Sequence, residues 1–219
     1  MNTELETNTA NHKISAKTRF SIVAVALVAF MGILAETSLN VTFPTLEKTF
    51  GLPLSTVQWV TTAYLLVVAI VMPTSSYISQ RFQNRTLFFS GLIFFTLGDL
   101  LSLISPNFTI LMAGRLIQGI GTGIAIPLMF NLVLTKIPRE RVGLWMGFAG
   151  MILSIAPALG PTYGGLLTGT LGWRMIFAII LIIPICLFPL GAWAIEKSEK
   201  KRPGKFDFIA FIFLSLAMT

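Results

Sequence analysis

Three ionisable residues stand inside long apolar stretches of this 219-residue chain: Glu36, Asp99 and Arg115. Counting 1.5 Å per helical residue from the nearer end of each stretch puts Glu36 about 10 Å deep and Asp99 and Arg115 about 8 Å deep, in one shared layer. An acid and a base at the same depth stabilise one another, because each alone would carry a large desolvation cost. A carboxylate whose surroundings alternate between a nearby guanidinium and an open cavity can bind and release a proton. The chemistry on offer is therefore proton exchange within an apolar phase, with Glu36, Asp99 and Arg115 as the candidate proton-coupling residues. Two blander readings stand beside it: Arg115 can snorkel to the near interface, and Asp99 can reach the same boundary.

Other chemistries lack their parts. No apolar stretch contains a histidine, and the chain has no HExxH, no GxSxG and no Cys/His pair. An intramembrane enzyme would need such a nucleophile or metal set, so the sequence reads as a non-enzyme with no metal. His12 stands alone in a polar segment, and Cys186 reads as a small buried packing residue.

The elements that must position the three charges follow from composition. The chain is 54% hydrophobic and 11% charged, far below the roughly 25% charge of an average soluble domain. Six apolar runs stand out: Phe20 to Phe43, Leu54 to Ile78, Leu87 to Ile104, Ile110 to Leu134, Val142 to Leu167 and Met175 to Ile195. A bilayer core needs about 20 helical residues, so each run is long enough to span, and the first is too long for a signal-peptide core. The fold class expected is an all-α membrane protein, a six-helix transmembrane bundle over 20–195. Residues 1–19 read as a disordered cytoplasmic tail and 196–207 as a basic cytoplasmic loop. Residues 208–219 read as the start of a truncated seventh span, about 18 Å long if helical and too short to cross.

Net charge is +7, and its placement points to membrane topology and excludes a nucleic-acid partner. With the amino terminus inside, the inner side carries Lys13, Lys17, Arg19, Arg81, Arg85, Lys136, Arg139, Arg141 and five more basic residues from Lys197 to Lys205. The outer side carries only Lys48 and Arg174. That asymmetry sets a cytoplasmic amino terminus by the positive-inside rule. Trp145, Trp173 and Trp193 fall near run ends, where indole prefers the interface.

The fourth run carries LMAGRLIQGIGTGIAIP from Leu111 to Pro127, combining Arg115 and Gln118 with Gly119, Gly121 and Gly123. An arginine there costs roughly 2.5–3.5 kcal/mol to insert and so seeks a cavity or a partner, while glycines admit a second backbone. The fifth run pairs Gly143 with Gly147 and Gly160 with Gly164 in small-xxx-small spacing, and Pro157 and Pro161 each remove a backbone donor. From spacing alone, a helix that merely packs and one that changes conformation fit equally well.

These segments resemble a known family. GRLIQG at Gly114 to Gly119 is similar to motif B of major facilitator superfamily exporters. Ala156 to Gly165, APALGPTYGG, is similar to motif C of their antiporters, with Gly147 at the spacing of that motif's first glycine. Ala156 stands where a further glycine is usual. Glu36 to Pro44, ETSLNVTFP, resembles the ETxLNVxxP form of lincomycin-resistance-type, fourteen-span drug:proton antiporters. Gly172 to Phe177 and Lys205 to Phe211 match the starts of their sixth and seventh spans. The loop SSYISQRFQNR departs from motif A, with Gln80 in place of its acid and Gln83 in place of a glycine, leaving Arg81 and Arg85.

The resemblance implies the amino-terminal half of a proton-driven exporter in the plasma membrane, built from two inverted three-helix repeats, with substrate near the midplane. It implies a cavity lined by the first and fourth spans, hence by Glu36, Asn40, Arg115 and Gln118, and favours Glu36 over Asp99 as the partner of Arg115. Gly147, Gly160, Pro161, Gly164 and Gly165 would gate. The implied partners are a lipophilic or cationic small molecule, protons, the lipid bilayer and the missing carboxy-terminal half. The proton gradient takes the place of a cofactor. The alternative is a non-transporting structural or assembly subunit of the membrane.

Topology gives the first test. Single cysteines introduced as Asn107→Cys and Ser198→Cys, in a Cys186→Ala background, are expected to react with an impermeant thiol reagent from outside and inside respectively. The opposite labelling pattern would invert the bundle.

Overall fold

The computed structural model describes residues 14–195, and the expected seventh span, the basic loop 196–207 and residues 1–13 lie outside them. Seven α-helices make up the described chain: α1 Ala16–Phe50, α2 Leu54–Val57, α3 Trp59–Arg81, α4 Asn84–Leu103, α5 Phe108–Lys136, α6 Arg139–Thr170 and α7 Arg174–Ala194. Six spans are long and apolar enough to cross a membrane, α2 forming the first turn of the second. All six coincide with the apolar runs. Helices are what an apolar phase demands, since each satisfies its own backbone donors and acceptors.

The helices overrun the apolar runs where polar residues continue them. Ala16 to Arg19, expected in the disordered tail, form the first turn of α1, with the Arg19 N–H donating to Ser15 O at 3.1 Å. At its other end α1 continues through Pro44 past Phe43, the end of the apolar run, to Phe50. It stops at Gly51, whose left-handed φ of 65° and N–H bond to Glu47 O (2.8 Å) close the last turn.

α1 and α5 form the centre of the bundle. α6 packs chiefly on α1, α3 chiefly on α5, α4 on α5 and α7, and α7 also on α1. Exchanging the first three spans for the last three leaves these principal pairings unchanged, as two inverted three-helix repeats require. Two apolar clusters fill the interior. The larger holds Ile22 to Ala35 of α1 with Leu92 and Phe95 of α4, Ala125 to Val133 of α5 and Ile180 of α7. The smaller, at the other end, holds Leu39, Leu46, Val57, Val60, Leu111, Trp173 and Phe177. Phe50 lies against Phe108 and Trp173 there, ring centroids 6.0 and 5.9 Å apart.

Between lipid and helix there is little hydrophobic gradient, so association depends on close van der Waals contact and interhelical hydrogen bonds. Glycines provide that contact. A Cβ on Gly164 would lie 2.8 Å from Ser38 Cα, and Gly160 faces Thr37 with its carbonyl accepting from Ser38 Oγ at 3.0 Å. Gly114 approaches Gly98 just as closely, a Cβ there lying 2.8 Å from Gly98 O. The expected contact at Gly143 and Gly147 is not made: both face open space, because α6 turns most of that half outward. Leu144, Phe148, Met151, Ile155 and Leu159 lie on this uncovered surface.

Cys186 also departs from expectation. The buried face of α7 follows Phe177, Ile180, Pro184, Leu187 and Gly191 at helical spacing, and Cys186 is off that stripe and exposed.

Glycine contacts and open glycines should respond oppositely to one methyl group. Gly164→Ala is expected to destabilise the bundle by about 1–3 kcal/mol through overpacking. Gly169→Ala, with nothing near its Cβ, should be neutral or stabilising by up to about 1 kcal/mol through helix propensity. Thermal unfolding of both variants in detergent measures the difference.

Candidate functional site

The interval between the two apolar clusters is where the polar side chains gather. On α1 it runs from Gly32 to Ser38, on α5 from Arg115 to Thr122, and it includes Tyr64 of α3 and Asp99 of α4. Asp99, Arg115 and Gln118 are each 0% exposed. Gln118 bridges the two charges. Its Nε2 donates to Asp99 Oδ1 at 3.0 Å, and its Oε1 accepts from Arg115 Nη1. Arg115 lies over the Tyr64 ring, 4.0 Å from the centroid, in cation–π geometry. Tyr64 in turn donates its hydroxyl to Thr122 Oγ1 (2.9 Å).

Local sequence explains the assembly. Arg115, Gln118 and Thr122 lie three and four residues apart, so they share one face of α5. Asp99 reaches Gln118 because Gly98, its neighbour, admits the α5 backbone: a Cβ on Gly98 would lie 2.7 Å from Gln118 Cα. Gly32 does the same on α1, where a Cβ would meet the Tyr64 hydroxyl at 2.8 Å. Three polar atoms of the layer have no hydrogen-bond partner: Asp99 Oδ2 and the Nε and Nη2 of Arg115. Nε and Nη2 lie along one edge of the guanidinium, the edge that fits a carboxylate side-on.

The expected direct pair of Glu36 with Arg115 is not formed. Glu36 is half-exposed, its Oε1 accepts from Asn40 Nδ2 at 3.2 Å, and the guanidinium is taken up by Gln118 and Tyr64. Glu36 is nonetheless within electrostatic reach of Arg115 and Tyr64. Neither bland alternative holds, because Arg115 is wholly enclosed and Asp99 is buried instead of reaching an interface. Asn40 is exposed, whereas Gln118, expected to line a cavity beside it, is sealed between α4 and α5.

The gating candidates divide in two. Gly160 and Gly164 are buried against α1, and Gly165 stands 3.8 Å from Val41 Cγ1 by its Cβ position. Gly147 and Pro161 are exposed. Of the loop residues, Arg85 lies 5.9 Å from the Phe89 ring centroid and Arg81 closes α3. Tyr64, Thr122, Gly32 and Gly98 escaped the sequence reading. The signal that could have found Tyr64 is a phenol at the middle of an otherwise apolar run.

With the geometry in place, comparison with known proteins is direct. The family model described as Major Facilitator Superfamily matches residues 25–215. The chain is 38% identical over 196 residues to the lincomycin resistance protein LmrB of Bacillus subtilis (strain 168), covering 89% of this chain and 41% of that protein. It is 32% identical over 189 residues to a multidrug resistance protein B homolog of Mycobacterium tuberculosis (strain ATCC 25618 / H37Rv), covering 86% and 35%. The chain thus spans less than half the length of these relatives. Its fold is similar to a crystal structure of the peptide transporter POT, with a TM-score of 0.70 at 12% identity, covering 90% of this chain and 43% of that one. Six membrane-spanning helices in this packing, with a family match running through all of them, leave one assignment: the chain is a multi-pass membrane protein of the Major Facilitator Superfamily.

Proposed function

We propose that the chain is the amino-terminal half of a proton-coupled exporter of lipophilic or cationic compounds, set in the plasma membrane with its amino terminus in the cytoplasm. The observation that carries this reading is the pairing of environments around one cation. Glu36 is half-exposed and Asp99 is sealed, and both lie within electrostatic reach of the buried Arg115. An acid open to a cavity can exchange protons with water, while a buried guanidinium beside it favours release. Glu36 is therefore the proton carrier, Arg115 the group that discharges it, and Asp99 the second, enclosed acid of the layer. The drug-resistance relatives support the direction of transport and the substrate class.

Substrate would bind where α1 and α5 face the second half, near Glu36 and Asn40. Gly160 and Gly164, packed on α1 beside Thr37 and Ser38, would pass a shift of α6 directly to the helix that carries Glu36. Alternating access needs two bundles rocking about one site, so the 219 residues alone should not export.

Efflux of a lipophilic cationic dye from proteoliposomes tests the assignment in the complete transporter. Glu36→Gln should abolish the dependence of export on an imposed proton gradient. Arg115→Ala should lower export by at least about tenfold, as expected for stranding a buried charge. If Glu36→Gln keeps gradient-driven export and Asp99→Asn loses it, the carrier is Asp99. Export by the 219-residue chain on its own would refute the half-transporter reading.

A further inference from the structure

A cleft opens at the end of the bundle where α1 begins and α5 and α7 finish, beside the start of α4. Lys17 of α1 and Lys136 of α5 line it and are both exposed, while Thr18 and Asn84 add polar groups to its wall. Its floor is closed by Ser21, Leu132 and Ile195, all buried. None of the described residues lining it is acidic. α4 adds to the same charge, because Gln83 at its N-cap makes no side-chain cap bond and the helix carries its partial positive charge at this end. In the sequence beyond Ile195, the segment from Glu196 to Lys205 brings five basic side chains against two acidic. The enclosed volume is about 20 Å³, room for one water-sized group. A nucleotide or a drug-sized molecule does not enter, and the anion that fits is a single phosphate resting at the mouth.

The neighbouring side chains indicate what carries that phosphate. Phe20 lies three residues beyond Lys17 on the same side of α1 and pairs edge-on with Trp193 of α7, ring centroids 5.8 Å apart. Both rings are exposed. Three residues are about 4.5 Å of helical rise, so charge stands outermost and aromatic surface just inside it. A phospholipid has the same order, phosphate first and then glycerol and acyl chain, and indole prefers that boundary. A free anion makes no use of the rings.

We propose that this cleft binds the phosphate of an anionic phospholipid, with Lys17 and Lys136 as its counter-charges and the Phe20 and Trp193 rings against its glycerol and upper acyl chain. Anionic lipid is concentrated in the cytoplasmic leaflet, which this end faces under the topology proposed above; the rest of the inference needs only that the helices span a membrane. A headgroup held by both lysines ties α1, which carries Glu36, to α5, which carries Arg115. Lys136 in the last turn of α5 also complements the helix dipole, a role that affects stability and gives no preference among lipids.

Native mass spectrometry of the chain in detergent, titrated with phosphatidylglycerol, phosphatidylcholine or inorganic phosphate, tests the site. Phosphatidylglycerol should bind at least about tenfold more tightly than phosphatidylcholine, as expected for two basic groups beside an anionic headgroup. Lys17→Gln with Lys136→Gln should remove that preference, and Lys17→Arg with Lys136→Arg, which keeps both charges, should retain it. Arg139→Gln with Arg141→Gln removes the same charge at the same end but off the cleft, and should leave the preference within about twofold of wild type. Phe20→Ala with Trp193→Ala should weaken both lipids by about three- to tenfold through lost apolar contact. A preference that survives the lysine-to-glutamine pair, or that falls as far in the arginine pair, overturns the proposal. Inorganic phosphate that displaces phosphatidylglycerol at equal concentration overturns it too, assigning the cleft to a free anion. Inverted cysteine labelling or failed dye export would refute the topology or the exporter reading and leave these affinities unmoved.

Discussion

The bundle is organised around the need to hold Arg115 away from water. An arginine cannot shed its proton in a protein, so burial leaves neutralisation and dispersal of the charge as its only remedies. The structure uses both, placing the Tyr64 ring against one face of the guanidinium and leading its charge through the Gln118 amide to Asp99. Every one of these partners sits on a different helix or a different turn. Their meeting fixes the mutual rotation of α3, α4 and α5, so the packing of half the spans follows from solvating one side chain.

Meeting at these distances requires backbones closer than ordinary side chains allow. Gly98 against Gly114 and Gln118 brings α4 onto α5, and Gly32 makes room for Tyr64 and Thr122 beside α1. The same device recurs at Gly160 and Gly164, where α6 meets α1 at Thr37 and Ser38, one and two residues beyond Glu36. Close contact and polar satisfaction are therefore one design: where glycine admits a neighbouring backbone, a hydrogen bond or a charge pairing follows. The two apolar clusters on either side seal the polar layer off and keep its electrostatic interactions strong.

Much of this could be read from the residues. Span number and approximate limits follow from run length, because an apolar phase permits little besides helices. The shared depth of Glu36, Asp99 and Arg115 follows from rise per residue. What depth along a helix does not contain is azimuth, and azimuth chose the partner: Gly98 turned Asp99 into the α4 and α5 seam, while Glu36 stayed on the half-open side of α1. Cys186 is exposed against expectation for the same reason, since an apolar run gives no sign of which face is inward. For Gln118, which is buried here, motif resemblance locates a residue on a span without saying whether it faces a void or a neighbour.

The chain of bonds from Asp99 through Gln118 to Arg115 also constrains how this sequence can drift. Removing any one member strands another in an apolar interior, at a cost of about 3–5 kcal/mol for a broken buried pair. Replacing all three with well-packed apolar residues strands nothing and can be neutral for stability. Intermediates between the two sequences are thus poorer than either end, a barrier that separates lineages even where both ends fold. The three positions should behave in evolution as a single heritable character, gained or lost together, and Tyr64 should follow them as the ring that makes an enclosed guanidinium bearable.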